Sequence, residues 1–141
     1  MVAIEFDPGG IIEEGEIQIV IICANYKGKW IVVRHKDRTT WEIPGGHREP
    51  FEDLEMAASR ELYEETGALK FNLFPVVAYS VDNGEKRTFG KLFYARVQEL
   101  GELPQSEIAE IKFVEKLPRN LTYPLIQPLL YQKVVDYLHN L

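Results

Sequence analysis

The chain has 141 residues, of which 45% are hydrophobic and 27% are charged, a balance typical of one globular domain with a sizeable core. Its formal net charge of −6 argues against a general nucleic-acid-binding surface, which must neutralise many phosphates, but leaves room for a short nucleotide. The acidic N-terminal stretch does not resemble a secretory signal, and no apolar run approaches the roughly 20 residues that span a bilayer. We therefore expect a single domain over residues 1–141, with a cytoplasmic location and no membrane partner.

The first half of the chain predicts a β-hairpin that leads into a glycine turn and a helix. Ile17–Ala24 is continuously apolar and rich in β-branched residues, which favours a buried strand. Cys23 is the only cysteine, so we expect a small buried core residue and no intramolecular disulfide. The segments that follow are predicted as a turn at 25–28, a strand at Lys29–His35, a polar loop at 36–40, a short strand at Trp41–Ile43 and a helix from about Phe51 to Thr66.

The second half predicts another pair of strands followed by an acidic loop. Leu69–Val81 and Thr88–Val97 are predicted as strands, and the Asp-Asn-Gly sequence at 82–84 between them is a strong turn signal. Glu99–Glu110 is acidic and contains glycine and proline, which predicts an exposed loop. Ile111–Val114 is predicted as the last, short strand.

A second helix is predicted to open near residues 120–124, with Thr122 as its N-cap. Pro128 is compatible with this helix only in its first turn. The predicted apolar stripe consists of Leu125, Leu129, Leu130, Val134 and Leu138. The order of strands, helix, strands and helix predicts an α+β fold of the α/β/α sandwich type.

The first predicted helix carries carboxylates on the face that its spacing turns inward. That face contains, in helical spacing, Leu54, Ala57, Ala58, Glu61 and Glu65. Glu64 lies beside Glu61, so three like charges converge, an arrangement that folding alone does not require. A solvated charged face is the alternative, since most glutamates on helices point to water. The apolar neighbours favour a bound divalent cation, because hard ions take oxygen ligands.

The same stretch matches the pattern of a known family at every fixed position. The matching residues are Gly46, Glu52, Arg60-Glu61-Leu62, Glu64-Glu65 and Gly67-Ala68, and in this pattern the chain resembles the Nudix hydrolases. The sequence Trp-Glu-Ile-Pro-Gly-Gly at 41–46 resembles the lead-in of that family. Phe51 stands where many members carry glycine, and His47 stands where lysine or arginine is frequent. The resemblance implies a mixed sheet between helices, with the motif forming a loop–helix–loop.

For the chemistry, the resemblance implies divalent-metal-dependent hydrolysis of a pyrophosphate bond in a nucleoside diphosphate linked to another group. We assign Glu61, Glu64 and Glu65 as carboxylate ligands of Mg²⁺ or Mn²⁺. The backbone carbonyl of Gly45 is a further ligand candidate, since only a bare backbone can approach a metal so closely. A left-handed turn is a second reason for glycine at this position.

Around these ligands the resemblance implies structural support from Gly46, Glu52 and Gly67. Arg60 is a further candidate of the catalytic site, and we expect it to act through a structural pair with Glu52 that orients the ligand carboxylates. The two are eight residues apart, too far for neighbours on one helix surface. As an alternative, the Glu52 carboxylate could cap the N-terminus of the helix.

The general base is left open between the motif and a later loop. Glu61 is one candidate, because crowding among carboxylates favours a proton on one of them. Glu107 and Glu110 are the loop candidates, and we prefer Glu110 because it adjoins a strand. A solvated loop acid is the alternative reading of Glu110.

Substrate contacts are predicted from cations and aromatic residues. Arg34, Lys36 and Arg38 leave the second strand and could form a cationic rim for phosphate, although a solvated edge explains the last two equally well. His35 and His47 are not convincing ligands for a hard cation. The candidates for stacking on a base, each of which could instead be core, are Tyr79, Phe89, Phe93 and Tyr94.

Three readings of the function follow. The leading one is an Mg²⁺-dependent diphosphatase that converts a nucleoside triphosphate, including oxidised forms, to the monophosphate and pyrophosphate; the Glu-Pro-x-Glu variant at 49–52 resembles such a subgroup. The second keeps the metal site but takes an RNA 5′ end, a nucleotide sugar or a dinucleoside polyphosphate. The third is a nucleotide sensor without turnover. A homodimer is compatible with all three.

Overall fold

In residues 2–7 and 9–141, which the computed structural model describes, seven strands form one mixed sheet flanked by two helices. The predicted α+β class is thus confirmed. In chain order the elements are β1 (Ala3–Asp7), a 3-10 turn (Glu14–Glu16), β2 (Ile19–Tyr26), β3 (Lys29–His35), β4 (Gly45–His47), α1 (Leu54–Thr66), β5 (Ala68–Asp82), β6 (Arg87–Leu100), β7 (Ile108–Val114) and α2 (Gln127–His139).

The sheet order is β1-β5-β6-β2-β3-β7, with β4 paired to β2. β2 and β6 run parallel, and the other pairs are antiparallel. β2 and β3 pair only next to their turn, at Asn25–Trp30 and Tyr26–Lys29. Further from the turn, Ile19–Ile21 of β2 pairs with β4 instead. β3 therefore separates from its hairpin partner, and residues 42–47 lie between the two strands, since Glu42 bridges Val33 of β3 and β4 pairs with β2. This segment becomes part of the site described below.

Each face of the sheet packs one helix against its own hydrophobic core. Side chains alternate between the two faces along a strand. In β6, Phe93 and Ala95 pack with the apolar face of α1, whereas Leu92 and Tyr94 pack with α2. Cys23 is buried in the second core, as predicted, and burial raises the pKa of its thiol. Because the thiolate is the nucleophilic form, a buried thiol that stays protonated is unreactive, and Cys23 is a core residue.

The predicted short strand at Trp41–Ile43 is wrong. Trp41 and Glu42 make only isolated bridges, and the strand at this point of the chain is β4, which contains both glycines of the turn. The physical reason is close packing, because a Cβ at Gly45 would collide with the backbone of Val20 in β2.

The helix α1 begins three residues later than predicted. The carboxylate of Asp53 accepts a hydrogen bond from the Met56 N–H at 2.8 Å and caps the helix, so the alternative of Glu52 as the cap is wrong. Phe51 has φ of +67°, a left-handed conformation that does not continue into a helix. Gly67, with φ of +80°, ends the helix as predicted.

The acidic loop is shorter than the predicted Glu99–Glu110. β6 continues to Leu100 and β7 begins at Ile108, so Glu110 lies inside a strand. Ile108 and Ile111 of β7 pack in the core, whereas Glu110 and Lys112 are exposed. An edge strand permits such charged residues, which is why the local sequence around Glu110 indicates a loop.

The helix α2 also begins later than predicted. Thr122 is not its cap, since its hydroxyl pairs with that of Thr40 at 2.6 Å. Leu125 and Leu129 are exposed and do not belong to the buried stripe, whereas Pro128 lies in the first turn as predicted. No helix in the described part of the chain has the length and apolar character that crossing a membrane requires.

Candidate active site

Two carboxylates on the inward face of α1 lie against the glycines of β4. The N–H of Gly45 donates a hydrogen bond to Glu65 Oε1 at 3.0 Å. The carboxylate of Glu61 lies so close to Gly46 that a Cβ there would overlap its oxygen atoms. Glycine at position 46 is therefore what allows Glu61 to approach the backbone. Gly45 is not among the described glycines with positive φ, so the alternative of a left-handed turn at Gly45 is wrong.

Arg60 links the loop before α1 to two of the predicted ligands. Its Nε and Nη2 donate to both oxygens of Glu52, at 2.6 and 2.9 Å, a bidentate pair. Its Nη1 donates to Glu61 Oε1 at 2.7 Å and to Glu64 Oε1 at 2.8 Å. Nη2 also reaches the His47 carbonyl at 3.0 Å. One guanidinium thus orients three carboxylates and fixes the strand-to-helix loop.

The charges of this cluster are not fully compensated. Hydrogen bonds from Arg60 lower the pKa of Glu52 to about 2. Burial raises the pKa of Glu61, although Arg60 opposes the shift. Burial also raises the pKa of Glu65 to about 8; the Gly45 N–H opposes this, and the carboxylates of Glu61 and Glu42 add to it. Loss of hydration is the main cause of both raised pKa values. The excess of negative charge follows from the groups themselves, since two guanidinium groups, those of Arg38 and Arg60, face the carboxylates of Glu42, Glu52, Glu61, Glu64 and Glu65.

This excess of carboxylate charge fits a hard divalent cation. Within the described residues, no group of three or more His, Cys, Asp or Glu side chains is arranged to hold a metal ion. The predicted ligands would form an open set of oxygen atoms, with Glu64 partly exposed and Glu65 almost buried. Mg²⁺ uses such sites, because it keeps several waters and shares its remaining positions with substrate phosphates. The three ligand assignments and the Gly45 carbonyl remain predictions.

A second wall of the site comes from Glu42 and His35, for which the sequence predicts no role in ligand binding, together with Arg38. Glu42 is 9% exposed, and its Oε1 lies 3.2 Å from His35 Nε2. The same His35 nitrogen lies 3.9 Å from Glu65 Oε2, while Arg38 Nη1 donates to Glu42 Oε2 at 3.1 Å. The signal that could have identified Glu42 is a carboxylate between the apolar residues Trp41 and Ile43.

The predicted cationic rim is only partly brought to the site. Arg38 lines the cavity. Arg34 does not, since its Nε pairs with Glu110 Oε1 at 3.3 Å and its Nη1 donates to the Arg38 carbonyl at 2.9 Å. Lys36 lines an adjoining depression that shares His35, Arg38 and Glu107 with the cavity. Of the three predicted cations, Arg38 alone lines the cavity itself.

The two candidate bases of the later segment are placed differently. Glu107 lines the cavity, and its Oε2 lies 3.9 Å from His35 Nδ1. The Glu110 side chain is 56% exposed, less than the 91% of Glu107, but it pairs with Arg34 and does not line the cavity. Position at the cavity, and not burial, is therefore the argument for Glu107, and the general base stays a prediction.

The carboxylates border a cavity of about 500 Å³ whose other end is apolar. This volume is in the range of small-molecule sites. Of the four aromatic candidates, Tyr79 and Phe89 line the cavity. Phe93 is a core residue, and Tyr94 stacks on Phe74 with ring centroids 5.7 Å apart. The apolar end of the cavity is lined by Ile19, Ile21, Ile43, Tyr79, Val81, Phe89, Ile126 and Leu130.

An acidic helix face, a glycine strand and a mixed sheet between helices define a Nudix fold and site, and comparison with known proteins agrees. The sequence model described as NUDIX domain matches residues 16–117. The chain therefore belongs to the Nudix family, as the motif indicated. A Bacillus subtilis (strain 168) protein named "Putative 8-oxo-dGTP diphosphatase YtkD" is 37% identical over 105 residues, which cover 72% of this chain and 64% of that protein. The chain thus spans less than two thirds of the length of this relative.

Solved structures show the same fold. The Bacillus subtilis pyrophosphohydrolase BsRppH (E68A mutant) superposes with a TM-score of 0.79 and 27% identity, covering 96% of this chain and 90% of that one. The NUDIX domain of Shewanella oneidensis NrtR, solved with ADP ribose, has a TM-score of 0.69 at 15% identity, covering 94% and 93%. The second similarity is one of fold alone.

Proposed function

We propose that the protein is a divalent-metal-dependent hydrolase that cleaves the pyrophosphate bond of a nucleoside diphosphate linked to another group. The observation that carries this proposal is the position of Glu61 and Glu65 against the glycine strand and beside a cavity of nucleotide size. Arg60 joins Glu64 to Glu61, since its Nη1 donates to both carboxylates. Membership of the Nudix family supports it.

The residues of the proposed site have two kinds of role, since some bind charged groups and others hold those residues in position. When bound, Mg²⁺ would neutralise the diphosphate and lower the pKa of the attacking water. Glu61, Glu64 and Glu65 would hold the ion, and Arg60 with Glu52 would keep those carboxylates in place. Arg38, at the cavity, would contact phosphate oxygen. The proton of the water would pass to a carboxylate at the cavity, either Glu61 or Glu107.

As the substrate we propose a nucleoside triphosphate, including an oxidised one, that is converted to the monophosphate and pyrophosphate. The relative with 37% identity is named for 8-oxo-dGTP. The apolar end of the cavity supports a base-binding role, since apolar and aromatic side chains line the cavity beside the carboxylates. A cytoplasmic location and a homodimer remain predictions.

The test is pyrophosphate release from a panel of nucleotides with Mg²⁺, Mn²⁺ or EDTA. We expect turnover only with metal, and a loss of about 100-fold or more in kcat for Glu64→Gln and Glu65→Gln, since each removes a charge from the ion's shell. Glu55→Gln is the matched control, because Glu55 lies exposed on the same helix. Turnover of both site variants at the level of the control would remove the assignment. Nucleotide binding without any release would favour the sensor.

A second candidate substrate is the triphosphorylated 5′ end of an RNA. It is favoured by the similarity to the pyrophosphohydrolase BsRppH, which extends over nearly the whole of both chains. Competition between a 5′-triphosphorylated oligonucleotide and the matching free nucleoside triphosphate would decide. A higher kcat/KM for the oligonucleotide assigns the RNA end, and a higher value for the nucleotide assigns the free triphosphate.

A further inference from the structure

The guanidinium of Arg38 is held at the cavity by two partners from distant parts of the chain. Its Nη1 donates hydrogen bonds to Glu42 Oε2 at 3.1 Å and to the hydroxyl oxygen of Tyr123 at 3.5 Å. Its Cζ also lies 5.9 Å from the centre of the Tyr123 ring, within the range of a cation–π contact. The second hydrogen bond is long, so the ring supplies the larger part of the contact with Tyr123.

These contacts leave one edge of the Arg38 guanidinium free. In the part of the chain that the structure describes, the hydrogen bonds of this side chain are made by Nη1, while Nε and Nη2 make none. Nε and Nη2 donate to the same side of the planar group, where they can bind two oxygen atoms of a phosphate. Arg60 uses the same two nitrogens to bind both oxygens of Glu52. Arg38 therefore lines the cavity with its bidentate edge unoccupied by the protein.

Tyr123 belongs to a segment whose backbone is tied down on both sides of the ring. Just before it, the Thr122 N–H donates to the Trp41 carbonyl at 2.9 Å, and the hydroxyl oxygens of Thr122 and Thr40 lie 2.6 Å apart. After it, the Tyr123 carbonyl accepts a hydrogen bond from the Gln127 N–H at 3.0 Å. An arginine side chain, by contrast, has many rotamers in solution. Tyr123 is thus a fixed wall beside a flexible cation.

A cation that is already in position binds an anion more tightly than a mobile one. Ordering a flexible side chain on binding reduces affinity, and ordering it beforehand removes that loss. Glu42 alone does not select the orientation, since a carboxylate can pair with either edge of a guanidinium, including the edge that a phosphate needs. Tyr123 contacts the Nη1 side of Arg38 and so favours the arrangement in which Glu42 takes Nη1.

We propose that Tyr123 is a positioning residue, which holds Arg38 so that its Nε and Nη2 stay free for a phosphate group of the substrate. This rests on the proposed function, in which Arg38 contacts phosphate oxygen. Tyr123 touches no reacting atom and acts through Arg38. Loss of the Tyr123 ring should therefore weaken phosphate binding only while Arg38 is present.

The test is a double-mutant cycle on the affinity for α,β-methylene-GTP in the presence of Mg²⁺, measured by calorimetric titration. A methylene group replaces the oxygen between the α- and β-phosphates of this nucleotide, so binding is measured without cleavage there. We expect Arg38→Met to weaken binding roughly 10- to 100-fold, since it removes a charge-assisted contact. Tyr123→Leu should weaken it about 3- to 10-fold, and Tyr123→Phe, which keeps the ring, about twofold. In the Arg38→Met background neither change at Tyr123 should cause a further loss.

Tyr63→Leu is the matched control, because Tyr63 is 45% exposed, close to the 42% of Tyr123, and does not line the cavity. It should leave the affinity unchanged. Equal losses from Tyr123→Leu with and without Arg38 would overturn the proposal, since a merely structural role gives that result. So would an unchanged affinity in Tyr123→Leu, or no binding of the nucleotide by the natural chain. If circular dichroism shows that Tyr123→Leu is unfolded, the cycle with Tyr123→Phe decides.

The failure of this inference and that of the proposed function give different results. Metal-dependent pyrophosphate release from a nucleoside triphosphate, together with independent losses at Tyr123 and Arg38, would remove the inference and leave the proposed function. Coupled losses of affinity without any release would leave the role of Tyr123 in phosphate binding and remove the hydrolysis.

Discussion

The candidate metal ligands at the acidic end of the cavity are close in sequence, whereas its apolar end is assembled from β2, β5, β6 and α2. Glu61, Glu64 and Glu65 lie on one helix, and the glycines that contact Glu61 and Glu65 directly precede the loop before that helix. Tyr79, Phe89 and Gln127 reach the other end from three separate elements.

This difference separates chemistry from selectivity. A short local motif can keep a metal-binding arrangement intact while the distant elements change, so one fold can act on many substrates. A substitution at the acidic end should then lower kcat by a similar factor for all substrates. A substitution at the apolar end should change kcat/KM to an extent that depends on the base. Each prediction below tests one side of that division.

The largest effect is expected from a change at the acidic end. Glu61→Gln should lower kcat by roughly 100-fold or more, about 3 kcal/mol of transition-state stabilisation, and by the same factor for every base. Phe89→Ala should instead change kcat/KM by up to about tenfold, to an extent that depends on the base. Steady-state kinetics on four nucleoside triphosphates would measure both. A loss of kcat in Glu61→Gln that depends on the base would contradict the separation of metal chemistry from base selectivity.

The next effect concerns the stability of the acidic end. Arg60→Met should lower the free energy of unfolding by about 2 kcal/mol, because Glu52 and Glu61 lose their charged partner while remaining largely buried. Urea denaturation would measure the loss. Arg87→Met is the control, since Arg87 is half exposed and 3.7 Å from Glu5, and should cost less than about 0.5 kcal/mol. Equal losses in the two variants would show that Arg60 is only a surface cation.

A smaller effect should appear in the pH dependence of stability without metal. Burial, with added repulsion from Glu61 and Glu42, raises the pKa of Glu65 to about 8 from an ordinary 4.5. Between these values the folded protein retains a proton that the unfolded chain has released, so stability falls as the pH rises. In EDTA we expect a decline of roughly 1 to 2 kcal/mol over this window, less than the full linkage because solvent and salt ions reach the cavity.

Urea denaturation at several pH values would follow this decline, and Glu65→Gln should flatten it. Added Mg²⁺ should also flatten it, since the ion replaces the proton as the source of positive charge. A stability that rises with pH in EDTA would show that Glu65 is already compensated by the protein.

The same division explains what the sequence predicted and what it did not. The carboxylates of α1 follow from helical spacing, which depends only on local geometry. Glu42 was given no role, because its approach to Glu65 depends on the separation of β3 from β2, and no local pattern reports such a separation. Glu110 was misplaced because β7 forms only through its pairing with β3.

The ends of the two helices show the same limit on a smaller scale. Periodicity identified both helices but not their first residues, since Asp53 and the turn before Gln127 decide those. No pattern in the sequence predicted that Gln127 lines the cavity. Its orientation depends on the Ile43 N–H, 84 residues away in the chain, and a polar residue in a predicted helix is unremarkable on its own.

The smallest effect is expected at Phe51, where the loop enters the acidic end. Its side chain is fully exposed and its φ is +67°, a conformation that costs an L-residue about 1 to 2 kcal/mol. Phe51→Gly removes that strain but adds freedom to the unfolded chain, so we expect a net gain in stability of about 0.5 kcal/mol. Phe51→Ala retains the strain and should show no gain, which makes it the matched control in urea denaturation. If the glycine variant is the less stable one, the ring of Phe51 must hold the loop. The acidic end would then depend on a contact outside its carboxylates and Arg60.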